Sequence, residues 1–395
     1  MFPADNVWNA DISGLPADPH SAAWMASMNA STTNLHPDFG PSGDSSNPYG
    51  IPYTVVPAGH PFVSVTFEYA DESDPGPYPF GPDTPIEGGS SSTGDRHAIM
   101  VDPSTCNLYE LYDATYSSSG STAGSGAIWN LRSDALRPAT WASADAAGLP
   151  ILPGLLRYDE VAAGSVTHAI RMTAESTDTS FIWPARHEAG ARSDPSLPPM
   201  GARFRLSASY SISGYSPQAQ VVLRAMQHYG LILADNGSNW YFGGTADQAW
   251  PQSLVDELKQ VPASEFEAVD ESSLMVSPDS GQVRTSSSPT PPAPGTPARP
   301  TPAVVPVAPT TTTPVTPPAR SPTNSSTTTS PPRPQPGPRA RARTRALAAG
   351  RSTSGAATGW LALSVGALAI ISLSIVLVVG GLRRQRGAPA DEPVG

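Results

Sequence analysis

The sequence is almost devoid of cysteine and lysine. Cys106 is the single cysteine among 395 residues, which excludes an intrachain disulfide and a zinc site built from several cysteines. We expect this thiol to pack as a small hydrophobic side chain. Lys259 is the single lysine, so arginine supplies nearly all of the positive charge.

Several signature motifs are missing as well. The opening residues, MFPADNVWNA, contain neither a basic stretch nor an apolar run of the kind found in signal peptides. The chain has no HExxH motif of zinc proteases, no G-x-S-x-G elbow of serine hydrolases and no EF-hand spacing. The sequence therefore indicates neither of these hydrolase classes, and it assigns no metal ligands.

Negative charge dominates the first part of the chain. Residues 1–276 carry 31 acidic against 11 basic side chains, a net charge of −20, whereas residues 277–395 carry 3 against 12, a net charge of +9. An acidic domain repels phosphate backbones, so we expect no nucleic-acid partner. Such a charge suits an exported domain or one that gathers cations.

One long apolar run lies near the end of the chain. Residues 360–382 read WLALSVGALAIISLSIVLVVGGL and carry no charge. At about 1.5 Å per residue this run reaches roughly 34 Å, which is enough to cross a bilayer core. We therefore predict a transmembrane helix over residues 359–382, with the lipid bilayer as a partner, and a short cytoplasmic tail over residues 383–395.

Proline, threonine and serine dominate residues 277–358, which also contain a basic collar, RARARTR. This composition predicts a disordered stalk. The arginines on the two sides of the apolar run are nearly balanced and leave its orientation open. The stalk favours a single-pass protein of the cell membrane with its large N-terminal domain outside. The alternative is a tail anchor with that domain in the cytoplasm.

Residues 1–276 are predicted to form one mainly β domain, a sandwich or jelly-roll with about three peripheral helices; the alternative is an α+β barrel. Alternating apolar residues over 97–102 and 107–113 predict a hairpin. A second predicted hairpin turns at Asn236-Gly237. Helices are expected over residues 19–28, over 251–260, and from Pro217 to just before Gly230.

Several long phrases between residues 2 and 270 resemble a group of exported bacterial β-rich proteins. The phrases are FPADNVWN near the start, then GDRHAIMVD, LYELYDA, SADAAGLPILPGLLRYDEVAAG and ADNGSNW. The resemblance implies export, a single domain and a mature N-terminus at or near Met1. It implies no activity and no catalytic residues.

Arginine is concentrated in a short part of the domain. One interpretation is an anion pocket for the carboxylate or sulfate of a glycan, because a guanidinium binds such groups through two parallel hydrogen bonds. The other is pairing with acids such as Asp159, Glu160 and Glu188. Six of the ten arginines in residues 1–276 belong to this group: Arg157, Arg171, Arg186, Arg192, Arg203 and Arg205.

Histidines and carboxyls are the candidates for acid–base chemistry. His97, His168 and His187 lie in or beside predicted strands, where a histidine is either a general base or a hydrogen-bonded core residue. Glycoside cleavage requires two carboxyls about 5–10 Å apart. The candidate carboxyls are Glu110, Asp113, Asp145, Asp159, Glu160 and Asp235.

From these sets we select the predicted site residues. His168 is expected to face inward and its neighbour Arg171 to lie on the opposite face of the same strand. The predicted catalytic residues are Asp145, Asp159, His168, Arg171 and His187. The predicted substrate-binding residues are Arg157, Arg186 and Trp183.

Ca²⁺ is the one candidate cofactor. An irregular loop rich in proline and glycine carries several carboxylates, and hard oxygen ligands suit this ion. The alternative is a solvated acidic loop. The carboxylates are Asp71, Glu72, Asp74, Asp83 and Glu87.

These features favour a cell-surface protein that displays a glycan-cleaving domain on a stalk. The β-rich pattern, the many acids and the tryptophans and tyrosines suit a site for a cell-wall or environmental glycan. The alternative is a non-catalytic protein for glycan binding, adhesion or surface structure.

Overall fold

The computed structural model describes residues 1–44 and 47–284. This part of the chain is mainly β, with sheets and four α-helices. The predicted transmembrane helix and tail lie outside the described residues, as does the predicted stalk beyond residue 284. Within the described part, no helix is long and apolar enough to span a membrane.

A six-stranded mixed sheet runs through the larger hydrophobic core. Its strands lie in the order β1 (His36–Asp38), β11 (Tyr241–Gly243), β8 (Ile170–Ala174), β10 (Leu231–Asn236), β9 (Arg203–Leu206) and β12 (Phe266–Val269). β8 and β10 run parallel, whereas β9 runs antiparallel to both β10 and β12. The central strands are buried on both faces, so their apolar residues form short runs rather than a clean alternation.

A four-stranded sheet and a two-stranded sheet complete the β structure of the described residues. The strands of the larger one lie in the order β2 (Tyr53–Val55), β4 (Ala98–Asp102), β5 (Asn107–Tyr112) and β7 (Ser125–Asn130), and β3 (Val65–Phe67) pairs with β6 (Ser121–Ala123). The predicted hairpin over 97–113 is confirmed as β4 and β5. Cys106 lies in its turn with φ = +55° and is only half-buried. β2 and β4 run parallel, a pairing that an antiparallel jelly-roll does not contain.

The four helices flank these sheets. They are α1 (Ser21–Ser27), α2 (Tyr158–Ala163), α3 (Pro217–His228) and α4 (Gln252–Leu258). The predicted start of α3 is confirmed, since Ser216 Oγ accepts a hydrogen bond from the Ala219 N–H and Pro217 follows the cap. α1 and α4 lie within the other two predicted helices, whereas α2 was not predicted.

The predicted hairpin at Asn236-Gly237 is wrong. β10 and β11 do not pair with each other, because β8 lies between them. The connection passes over the end of β8: the Gly237 N–H donates to the Ala174 carbonyl at 3.0 Å, and Thr173 Oγ1 donates to the Ser238 carbonyl at 2.7 Å. The Asn-Gly pair therefore lies in a connection from β10 to β11 that passes over the end of β8.

The packed part of the chain continues past the predicted boundary at residue 276. The Val7 N–H donates to the Gly281 carbonyl at 2.7 Å, and the Val283 N–H donates to the Asp5 carbonyl at 2.8 Å. Val283 is buried against the larger core. The beginning of the chain and residues 277–284 are therefore held side by side.

Candidate active site

A bidentate ion pair between Asp145 and Arg171 lies at the centre of the candidate site. Arg171 is on β8, and its Nε and Nη2 atoms lie 2.8 and 2.6 Å from the two carboxylate oxygens of Asp145. Both residues are buried, with 1% and 5% of their surfaces exposed. The pair fixes both side chains, because breaking it would leave an unpaired charge away from water.

A tight turn aims Asp145 at this arginine. The Asp145 N–H donates to Ser143 Oγ at 2.9 Å, and the Gly148 N–H donates to the Asp145 carbonyl at 3.1 Å. Gly148 has φ = +67°, and a Cβ atom there would meet the Trp141 carbonyl oxygen at 2.3 Å. The turn therefore requires glycine at this position.

The carboxyl group of Asp235 lies against the same pair. Its Oδ2 atom is 3.6 Å from Arg171 Nη2, and the carboxyl is in hydrogen-bonding contact with Asp145. A shift in the pairing of β10 with β8, between Leu233 and Asp235, changes the direction of this side chain. Burial and then the Asp145 carboxylate raise the pKa of Asp235 well above its usual range. Asp235 therefore keeps a proton at pH values where ordinary carboxyls are ionised.

His97 and Glu87 form a second ion pair beside the first. His97 Nδ1 lies 2.6 Å from Glu87 Oε2, and Nε2 lies 3.1 Å from the carbonyl oxygen of Ala144. Both oxygens can only accept, so both ring nitrogens donate and the ring is an imidazolium. Burial disfavours this charge, but the Glu87 carboxylate outweighs burial and raises the pKa of His97 to about 9. Burial likewise opposes ionisation of Glu87, and His97 outweighs it and lowers the pKa of Glu87.

Arg96 holds the loop that carries Glu87. Its guanidinium donates to the carbonyls of Ser90 and Ser92 in that loop and to the carbonyl of Ala114 after β5. The loop is thereby tied to the end of the four-stranded sheet, and Glu87 is kept within reach of His97.

The two ion pairs form one cluster. Arg171 also lowers the pKa of Glu87, and His97 opposes the rise in the pKa of Asp235, so the four groups lie close enough to interact. The cluster holds three carboxyls against two cations, and the proton on Asp235 makes it neutral. Asp145 and His97 are buried, whereas the side chains of Asp235 and Glu87 are 24% and 26% exposed. Solvent therefore reaches the cluster through Asp235 and Glu87.

Tyrosines flank the exposed edge of the cluster. Tyr112, at the end of β5, is half-buried, and burial followed by nearby acids that include Asp235 raises its pKa to about 12. Tyr49 is 49% exposed, hydrogen-bonds Asp38 and lies near enough to Glu87 to feel its charge. One aromatic ring therefore lies near each of the two partly exposed carboxyls.

The structure brings two of the predicted catalytic residues together, Asp145 and Arg171. His168 lies elsewhere: its Nε2 atom is 3.1 Å from Glu160 Oε2, and Glu160 also pairs with Arg157. His168 and Arg157 line a small cavity of about 50 Å³, and Asp159 is exposed on the first turn of α2. These three predicted residues form a separate group from the Asp145 cluster.

The remaining predicted residues bind mainly to backbone carbonyl groups. Arg186 donates to the carbonyls of Arg137 and Pro278 and to the Asp279 carboxylate, and Trp183 Nε1 donates to the Ser280 carbonyl at 2.8 Å. His187 Nδ1 lies 2.9 Å from the carbonyl oxygen of Ala146, so it donates to the loop of Asp145. Arg186 and Trp183 thus hold residues 278–280 in place.

Pairing accounts for the concentration of arginines. Every one of the six binds a carboxylate, and most of those carboxylates lie far away in the sequence. The pairs are Arg157–Glu160, Arg171–Asp145, Arg186–Asp279, Arg192–Asp194, Arg203–Glu271 and Arg205–Glu267.

The candidate carboxyl Glu110 is fully buried, and hydrogen-bond donors surround its carboxylate. It accepts hydrogen bonds from Trp129 Nε1 at 3.0 Å and from the backbone N–H groups of Ile151 and Leu152. Burial raises its pKa to about 7. Asp113, another candidate, is exposed beyond the end of β5. Glu110 therefore fastens the 151–154 segment to the four-stranded sheet.

The carboxylates of the predicted Ca²⁺ loop are divided among different partners. Asp74 binds Arg137 at 2.6 Å, and Glu72 accepts a hydrogen bond from the Ala142 N–H. Asp83 contacts His60, and Glu87 belongs to the cluster. Across residues 1–44 and 47–284, no group of three or more His, Cys, Asp or Glu side chains is arranged to hold a metal ion.

No protein-family model, no curated protein and no solved structure matches the chain.

Proposed function

We propose that this domain cleaves glycans, with Asp235 as the general acid and Glu87 as the ionised carboxylate. The observation that carries the proposal is that two partly exposed carboxyls beside one arginine have pKa values shifted in opposite directions, upward for Asp235 and downward for Glu87. Glycoside cleavage needs one protonated and one ionised carboxyl.

The roles of the four groups follow from their contacts. Asp235 donates its proton to the glycosidic oxygen as the bond to the sugar carbon breaks, and the Glu87 carboxylate faces the positive charge that develops on that carbon. A water molecule then adds to the carbon and gives up one proton, which restores the acid form of Asp235. Asp145 keeps the proton on Asp235 between turnovers, because two adjacent carboxylates repel each other. Arg171 acts as a positioning residue, since it holds Asp145 through two hydrogen bonds.

The flanking aromatic rings support a sugar as the substrate. Tyr49 lies near Glu87 and Tyr112 lies near Asp235, and the face of a tyrosine ring packs well against a sugar ring. A sugar that packs on either ring would lie beside one of the two carboxyls.

The sequence also supports a location for this activity. The apolar run over 359–382 and the Pro/Thr/Ser-rich segment before it favour a domain held outside the cell membrane, where cell-wall or environmental glycans are within reach. Protease treatment of intact cells tests this. Release of a fragment of about 30 kDa, scaled from 41.0 kDa for 395 residues, is the expected result. Full protection until lysis would indicate the tail-anchored alternative.

Cleavage is tested by the release of reducing sugar from a panel of cell-wall and plant polysaccharides. The full-length protein is compared with Asp235→Asn and Glu87→Gln, and each variant is expected to lose at least about a hundredfold in kcat, because each removes one acid–base partner. Asp256→Asn is the matched control, since Asp256 is exposed on α4 and its side chain hydrogen-bonds only Gln252 among the described residues.

The alternative function has a distinct signature in the same experiment. A protein that retains polysaccharide on a column but releases no reducing sugar, with Asp235→Asn binding as well as the unaltered protein, would be a glycan-binding module. Neither binding nor cleavage across the panel would remove the carbohydrate proposal.

A further inference from the structure

Strand β2 presents exposed apolar side chains beside the candidate site. Tyr53 and Val55 are 38% and 57% exposed, and Thr54 between them is half-buried. β2 is the edge of the four-stranded sheet and pairs only with β4 among the described strands. Exposed apolar edge strands are usually blunted or covered, so this edge is a candidate binding surface.

The strand pairing places this edge next to the ionic cluster. Tyr53 pairs with Ile99, and Ile99 lies two residues after His97. Paired residues share a face of a sheet, and so do residues two apart in a strand. At about 3.3 Å per residue and about 4.8 Å between strands, the Cα atoms of Tyr53 and His97 are roughly 8 Å apart.

Tyr49 extends the same edge toward the accessible carboxyl. It precedes β2, is 49% exposed and lies near Glu87. Tyr49, Tyr53 and Val55 are exposed residues before and along β2, and Glu87 lies at the start of the neighbouring strand β4, since its N–H donates to the His97 carbonyl at 2.9 Å. We call these three residues the β2 row. The Tyr53 hydroxyl makes no hydrogen bond to any residue in the described part of the chain, so its ring and hydroxyl are both available to a ligand.

We infer that the β2 row binds the part of a polymeric glycan that extends beyond the cleaved bond, so that the domain cuts within long chains. The inference rests on the proposed function. A ligand that contacts both Glu87 and Tyr53 extends past the cleaved bond along β2, and stacking on tyrosine faces suits successive sugars of a polymer. The continuity of the row with the cluster favours a glycan as its occupant.

The experiment measures kcat/KM on short and long cello-, chito- and xylo-oligosaccharides with the full-length protein. Long substrates are expected to be cleaved faster than short ones. Tyr53→Ala is expected to lose roughly three- to tenfold on long substrates and little on the shortest, the size of one stacking contact. Phe62→Ala is the matched control: Phe62 is 42% exposed but packs on Tyr109, on the opposite face of the same sheet.

Each outcome decides the inference. Equal kcat/KM for short and long substrates, or equal losses in Tyr53→Ala and Phe62→Ala, overturns it and leaves the proposed function intact. A dimer that becomes a monomer in Tyr53→Ala, measured by light scattering, overturns it by making the row an interface between two copies. If no substrate is cleaved, the proposed function fails, and binding of oligosaccharides then tests the β2 row. Tighter retention of long oligosaccharides that is lost in Tyr53→Ala supports glycan binding by the row. Retention that does not depend on length contradicts it.

Discussion

His97 holds Glu87 at 2.6 Å with one ring nitrogen, and its other nitrogen donates to the carbonyl of the residue directly before Asp145. One imidazolium therefore connects the loop that carries Glu87 to the turn that carries Asp145. These two segments come from distant parts of the sequence, and the ring fixes the spacing between them.

Replacing Glu87 with glutamine is expected to give a pH-dependent loss of stability. The pKa of His97 is raised to about 9 from an ordinary 6.5. The imidazolium therefore contributes its full stabilisation of the fold below pH 6.5, and this stabilisation is lost as the pH rises through 9. The pKa of Glu87 is lowered in the folded protein. Its carboxylate therefore stabilises the fold above pH 4.5, and this stabilisation is lost as the pH falls through the pKa that Glu87 has in the folded protein. Near pH 6 the free energy of unfolding of the variant should be roughly 2 kcal/mol lower than that of the unaltered protein. Urea denaturation of both proteins, from acidic pH to pH 10, measures the difference. A loss of the same size at pH 10 would contradict the ion pair.

Replacing Asp235 with asparagine is expected to stabilise the protein while removing activity. A raised folded pKa means that the stability contribution of Asp235 is fully present below its ordinary value of 3.8 and is lost as the pH rises through the folded value. Asparagine mimics the protonated form, so the variant keeps this contribution at high pH. A gain on the order of 1 kcal/mol at neutral pH, or a few degrees in Tm, is expected. Thermal unfolding of both proteins from pH 4 to 9 checks it, and a Tm curve parallel to that of the unaltered protein would argue against a proton on Asp235.

Removing Arg171 is expected to be far more costly than removing an exposed arginine. Arg171→Ala leaves the buried Asp145 carboxylate without its bidentate partner, which should cost about 3–5 kcal/mol of unfolding free energy. Arg192→Ala is the control, because the Arg192 side chain is 67% exposed and its pair with Asp194 should contribute at most about 1 kcal/mol. Chemical denaturation of the two variants compares them directly. Similar losses would mean that the Asp145 pair is not what holds this region together.

Ending the chain at residue 276 is expected to destabilise the domain relative to ending it at 284. The shorter protein loses the Asp279 and Ser280 partners of Arg186 and Trp183 and exposes the surface under Val283. Each buried donor left unpaired costs about 1–3 kcal/mol. Comparing the Tm values of the two truncated proteins measures the effect, and equal values would show that residues 277–284 add nothing to the fold.

Local signals in the sequence were sufficient for the elements with short-range causes. Ser216 and Pro217 mark the start of α3, and the spacing of the apolar residues around Cys106 marks the β4–β5 hairpin. The hairpin prediction at Asn236-Gly237 is wrong because a local pattern cannot reveal that β8 lies between β10 and β11, the two strands that this turn joins. Tertiary pairing decided that connection.

The candidate site could be predicted only in part, for a similar reason. Asp145, Arg171 and Asp235 were recognisable as residue types suited to acid–base chemistry, but their contact depends on the register shift in β10 and on the turn at Gly148. Glu87 was assigned only to an acidic loop, because nothing near it in the sequence shows that His97 will face it. The partners of the arginines likewise came from distant positions such as Glu271.

The side-by-side pairing of residues 5–7 with residues 281–283 has a mechanical consequence. A pull applied at Arg284 meets the hydrogen bonds between Val7 and Gly281 and between Asp5 and Val283, and then the grip of Arg186 and Trp183 on residues 278–280. These hydrogen bonds would have to break before the force reached β12 and the six-stranded sheet. A domain tethered through this end would thus resist tension at its exit point, and the spacing between Glu87 and Asp235 would be shielded from the tether.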